Sequence, residues 1–99
     1  MDLGLTGKKV VITGGSRGIG RAIATKMLEE GASVSICARG QEGVDEALAA
    51  LEGKGTIIGQ AVDVGNGDEL EAWLQSSAEQ LGGIDILIIN PSGGGGGQT

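Results

Sequence analysis

One stretch of the chain combines residue types that could do chemistry: Thr13-Gly14-Gly15-Ser16-Arg17-Gly18-Ile19-Gly20. It follows an apolar run, Lys8 to Thr13, and precedes a helical pattern. Where a strand hands over to a helix, unpaired backbone N–H groups and the positive end of the helix dipole attract a phosphate. Gly14 permits a tight turn. Gly18 lets a ligand reach the backbone with no Cβ in the way, and Gly20 permits close packing of helix on strand. The spacing 14, 18, 20 departs from G-x-G-x-x-G. A strand-to-helix turn that binds nothing is the plain alternative.

Two arginines extend this chemistry. Arg17 lies inside the turn, and Arg39 ends a second apolar run. In dinucleotide-binding domains a carboxylate roughly 20 residues past the turn bonds a ribose 2′-hydroxyl. Cys37-Ala38-Arg39 has none there, and the nearest acid, Glu42, falls in the next helix. Arg39 presents a planar fork suited to a 2′-phosphate, and Arg17 can close on the same group from the other side. The pair selects NADP(H) over NAD(H); two solvated surface charges are the alternative.

Other chemistries lack residues. The chain has no His, Tyr or Phe, and Trp73 is its single aromatic. The commonest general acid–base side chain is therefore absent. No Cys/His set has zinc spacing, and no carboxylate cluster has convincing metal spacing. Cys37, the one cysteine, sits in an apolar run and reads as an inert, reduced core thiol of a cytoplasmic protein. Trp73 reads as packing, and Asp45, Glu46, Glu69, Glu71 and Glu79 read as solvated helix faces. A net charge of −6 argues against nucleic acid or an anionic membrane as partner. No apolar stretch approaches a membrane span, and no signal peptide is visible at the start.

The elements that must position the turn follow from periodicity. Lys8–Thr13, Ser33–Ala38, Thr56–Val62 and Ile84–Asn90 read as strands. β-Branched runs that are apolar on both faces suit a sheet covered on both sides. Three helical patterns separate them. The first carries a stripe of Ile19, Ile23 and Met27 and ends near Gly31. Val44, Ala47, Leu48 and Leu51 mark the second, and Leu70, Trp73, Leu74, Ser77 and Leu81 the third. Asn66 is its expected N-cap, with Glu69 close to a capping box. The expectation is an α/β fold, β-α-β-α-β-α-β, with parallel strands in the order 3-2-1-4 of a Rossmann-type, doubly wound sheet.

Thr-Gly-x-x-x-Gly-x-Gly at the first strand–helix turn resembles the short-chain dehydrogenase/reductase family. The likeness runs from about Leu5 to Asn90 and includes Ala38-Arg39, Asp63-Val64 and Asn90. It implies an NADP cofactor held by Gly14, Ser16, Arg17, Gly18, Ile19, Gly20 and Arg39. It further implies that Asp63 bonds the adenine amino group, with the Val64 N–H at the ring. Asn90 would lie beside the nicotinamide-side ribose, with Ser92 nearby. Ile89-Asn90-Pro91-Ser92 departs from the family's Asn-Asn-Ala-Gly, and Ser92 stands where a glycine is usual. The family's Ser and Tyr-x-x-x-Lys are not found in this chain, so no catalytic residue is assigned.

Residues 1–90 are thus expected to form one dinucleotide-binding region, and 91–99 a mobile glycine-rich segment. Gly93 to Gly97 reads as a native loop in preference to an added linker. The last strand should need a fifth strand at its outer edge, and an open apolar edge pairs with what is available. The chain is therefore read as part of a longer, homo-oligomeric oxidoreductase acting on a small carbonyl substrate. The alternatives are a non-catalytic dinucleotide-binding module or scaffold, and a structural fragment that binds nothing.

Overall fold

A computed structural model describes residues 4–16 and 18–90. Four strands form the sheet: β1 (Lys9–Thr13), β2 (Ser33–Ala38), β3 (Ile57–Ala61) and β4 (Ile86–Ile89). Three helices connect them: α1 (Gly18–Glu29), α2 (Gln41–Leu51) and α3 (Gly67–Leu81). The strand order is β3-β2-β1-β4, and every pair is parallel. Val10 lies opposite Val34 on one side and Ile86 on the other.

The alternation of side chains along each strand divides the core into two layers. Val10, Ile12, Val34 and Ile36 face Ala24, Leu28, Ala47 and Leu51 of α1 and α2. Val11 and Cys37 face the opposite way, toward Trp73 and Leu81 of α3. Both faces are thus covered over β1 and β2, which is why the interior of these two strands is mostly apolar. Ser35 is the polar residue of their interior. It is buried on the α3 side and resolves its polarity with Ser77, Oγ to Oγ at 2.7 Å.

Several boundaries have clear causes. Gly31 (φ 92°) lets the chain leave α1, with Ala32 N–H bonded to Met27 O. Asn66 caps α3 through Oδ1, which accepts from the N–H groups of Asp68 and Glu69. Gly82, left-handed at φ 86°, closes the same helix with its N–H on Ala78 O. Gly59 sits inside β3 because a Cβ there would lie 2.9 Å from Ile36 and 3.0 Å from Val44.

Two expectations need correction. Of the Ile19-Ile23-Met27 stripe, Ile23 and Met27 pack against the core beside the buried Gly20, Ala24 and Leu28, and Ile19 departs. Ile19 is 72% exposed, because Gly20 must face the turn it packs against. The fourth strand, Ile86–Ile89, is shorter than Ile84–Asn90. Its two faces differ: Ile86 and Ile88 pack into the core, while Leu87 (47%) and Ile89 (72%) stand exposed on the other side.

Candidate functional site

The turn after β1 is held from three directions. The N–H groups of Gly14 and Gly15 both donate to Cys37 O of β2, at 2.8 and 3.1 Å. Asn90, just past β4, donates from Nδ2 to Gly14 O at 3.2 Å. The Asn90 N–H donates to Thr13 Oγ1 at 3.0 Å, and that hydroxyl donates in turn to Asn90 O at 3.4 Å. The ends of β1, β2 and β4 therefore fix one another at the carboxyl edge of the sheet. Strand order reverses between β1 and β4, and ligands of open α/β sheets bind at that crevice.

Glycine is required here by sterics as well as by torsion. Gly14 and Gly18 have φ of 70° and 63°, a region other residues seldom enter. A Cβ on Gly20 would be driven into Gly14 O and would come within 2.9 Å of Asn90 Nδ2. A Cβ on Gly15 would lie 2.5 Å from Ile36 Cγ2. Gly20 thus packs on the turn itself. Above Gly18 no described residue comes within 4 Å of a Cβ placed there. The first turn of α1 carries no acid, so the positive end of its dipole is uncompensated by the helix's own side chains. An anion fits this cradle: bare backbone, open approach and a positive helix end.

Ser16 is almost buried, and its Oγ lies 3.5 Å from where a Cβ on Gly43 of α2 would stand. Ile19 projects into solvent beside it. Arg17 and Ser92, both counted with the site in the sequence, lie outside the described residues, as does the 91–99 segment.

Arg39 and Asp63 each follow a strand, and because β2 and β3 are neighbours the two side chains meet. Arg39 Nη2 is 4.0 Å from Asp63 Oδ1, with the side chains 85% and 52% exposed. Such a pair is weak in water and leaves the guanidinium available to an anion. Asp63 Oδ1 also accepts from Gly65 N–H at 2.9 Å. The Val64 N–H has no partner among the described residues.

Cys37 shares the site only through its carbonyl. Burial pushes its thiol up from 9.0 to about 11, partly offset by a hydrogen bond from the Gly14 backbone. At neutral pH it is a protonated core thiol. Among the described residues no group of His, Cys, Asp and Glu could hold a metal ion, and no helix is long and apolar enough to cross a membrane.

Beside the turn an apolar groove of about 230 Å³ runs between α3 and β4. Val64, Leu70, Leu74, Leu87 and Ile89 line it, with Thr13 and Asn90 at its site end. The site residues that sequence reasoning missed are Gly15, the Thr13 hydroxyl and Glu69, which accepts from Asp63 N–H at 3.1 Å. Thr13 and Gly15 lay inside the quoted glycine stretch without a role of their own, and Glu69 was visible by its place three residues after the N-cap.

The model of the family described as short chain dehydrogenase matches residues 8–99. The chain is 44% identical over 90 residues to the uncharacterized oxidoreductase YvrD of Bacillus subtilis, covering 91% of this chain and 34% of that protein. The hydroxysteroid dehydrogenase from Escherichia coli superposes with a TM-score of 0.85 at 32% identity, over 92% of this chain and 38% of that one. The 3-ketoacyl-(acyl-carrier-protein) reductase from Brucella melitensis, solved in complex with NADH, does so with a TM-score of 0.77 at 26% identity, over 84% of this chain and 34% of that one. The chain thus spans about a third of the length of the proteins it matches.

Proposed function

Because this chain belongs to the short-chain dehydrogenase/reductase family, we propose that it is the NADP(H)-holding part of an oxidoreductase that moves hydride between NADP(H) and a carbonyl or alcohol substrate. Proteins of this family bind a nicotinamide dinucleotide. The finer choice of NADP(H) rests on one observation. The exposed side chain at the end of β2, beside the adenosine end of the crevice, is the cation Arg39, where an NAD-type site would present a carboxylate.

When bound, the dinucleotide supplies or accepts the hydride. The chain's own residues do the holding. The backbone of Gly14 to Gly20, with Ser16, Arg17 and Ile19, lies against the diphosphate. Arg39 and Arg17 grip the 2′-phosphate. Asp63 and the Val64 N–H read the adenine, and Asn90 and Ser92 border the nicotinamide-side ribose. Residues 1–90 act as one dinucleotide-binding region. The chain has no tyrosine among its 99 residues, and no catalytic residue is assigned in it. The buried, protonated Cys37 supports a reducing, cytoplasmic setting.

Dissociation constants for NADPH and NADH by titration calorimetry test this reading. It expects NADPH to bind at least tenfold more tightly; equal constants, or tighter NADH, remove the NADP assignment. We also propose that this chain, alone in solution, self-associates, supported by exposed Leu87 and Ile89 on the edge strand of the described sheet. A clean monomer in analytical ultracentrifugation contradicts it.

A further inference from the structure

The loop between β3 and α3 carries more hydrogen bonds than turning the chain requires. Asn66 N–H donates to Asp63 O at 2.9 Å, closing a turn over residues 63–66. Gly65 N–H donates to Asp63 Oδ1 at 2.9 Å. Asn66 Oδ1 accepts from Asp68 N–H and Glu69 N–H at 3.0 and 3.2 Å, which starts the helix. A capping box would return the Glu69 carboxylate to Asn66 N–H. That donor is already committed to Asp63 O, so the carboxylate reaches past it. Glu69 Oε1 accepts from Asp63 N–H at 3.1 Å.

This bond falls at a decisive place. The Val62 N–H makes the last bond to β2, donating to Ala38 O at 2.9 Å. Asp63 is the first residue beyond it, and its amide would otherwise face water. With Glu69 on its N–H and Asn66 on its C=O, Asp63 is held at both ends of its backbone. The residue that follows is Val64, whose N–H has no partner among the described residues.

We infer that Glu69 is a positioning residue for adenine recognition: its hydrogen bond to Asp63 N–H pre-sets the loop that presents the Asp63 carboxylate and the Val64 N–H. The inference rests on the NADP(H) reading above. Its energetic basis is general, since a recognition loop already ordered before binding loses less freedom when the ligand arrives. Glu69 also sits in the first turn of α3, where a carboxylate favours the positive helix end. A merely structural role would therefore change stability without distinguishing one ligand from another.

The test uses the wild-type chain, Glu69→Ala and Glu69→Gln. Glutamine keeps an oxygen acceptor and loses the charge. Amide hydrogen exchange at Asp63 is measured without ligand, and dissociation constants are measured for NADPH and for reduced nicotinamide mononucleotide, which has no adenine. In Glu69→Ala the Asp63 amide should exchange roughly five- to tenfold faster, and NADPH should bind roughly fivefold more weakly, as loss of one exposed hydrogen bond implies. The mononucleotide should bind as before, and Glu69→Gln should restore most of both effects. Unchanged Asp63 exchange in Glu69→Ala overturns the inference even if NADPH still binds. So does equal weakening of both ligands, or a glutamine variant as impaired as alanine. If the wild-type chain shows no saturable NADPH binding, the cofactor reading falls and the adenine role falls with it. A faster Asp63 amide in Glu69→Ala would then still record the bond, so the two failures are distinguishable.

Discussion

Gly20→Ala should unseat the cofactor turn. The added Cβ would be driven into Gly14 O and would approach Asn90 Nδ2 to 2.9 Å. Neither partner can give way cheaply, because Gly14 is tied to Cys37 O and Asn90 to Thr13. Forcing one methyl into such a contact costs about 1–3 kcal/mol. Breaking the bond from Asn90 Nδ2 to Gly14 O adds about 1 kcal/mol. Against this, alanine is better than glycine inside a helix by up to about 1 kcal/mol. The net loss is about 2 kcal/mol, which lowers Tm by about 8–16 °C for a chain of this size. Scanning calorimetry reads it, with Gly67→Ala as control. Gly67 opens α3 with nothing within 4 Å of its Cβ position, so that variant should be neutral or slightly stabilised. A Gly20→Ala chain that melts at or above the wild-type temperature would refute the packing of α1 on the turn.

Three further outcomes are expected. Arg39→Ala should weaken NADPH by at least tenfold and leave NADH nearly unchanged, because only the first carries a 2′-phosphate for the guanidinium to grip; equal losses for both would show a general effect instead. Native Cys37 should resist thiol reagents at pH 8 and react at once in denaturant. Its pKa is higher folded (about 11) than unfolded (9.0), so its contribution is full below pH 9 and lost as pH rises toward 11. Wild-type stability measured against Cys37→Ala should fall across that window, and a flat difference would contradict the burial argument. Ser35→Ala should cost about 1–3 kcal/mol in chemical denaturation by stranding the Ser77 hydroxyl, while Ser35→Ala/Ser77→Ala should cost less than the two single changes summed.

The sequence made the fold legible because each layer speaks in its own period. Strands β1 and β2 are apolar on successive residues because helices cover both their faces. Asn66, Gly31 and Gly82 announced helix ends by their chemistry. Parallel pairing followed from alternation and crossover handedness, and the strand order from the Rossmann-type pattern that the glycine turn suggests. What escaped the sequence depends on contacts between distant residues. Ile19 looked like core because it is apolar at helical spacing with Ile23 and Met27, yet the demand that Gly20 meet Gly14 turns it outward. The hydroxyl of Thr13 and the backbone of Gly15 became site elements only once β2 and β4 were placed beside them. Glu69 read as a solvated acid because a capping box names one partner, whereas the turn over 63–66 had already taken that partner away.

Backbone amide shifts of the ¹⁵N-labelled chain, followed during titration with NADPH, address the placement of the dinucleotide directly. Saturable shifts should concentrate at Gly14 to Gly20, at Arg39 and at Asp63, Val64 and Asn90, all at the carboxyl edge of the sheet. A titration that leaves the glycine turn unmoved, or that moves only the apolar groove between α3 and β4, would contradict it.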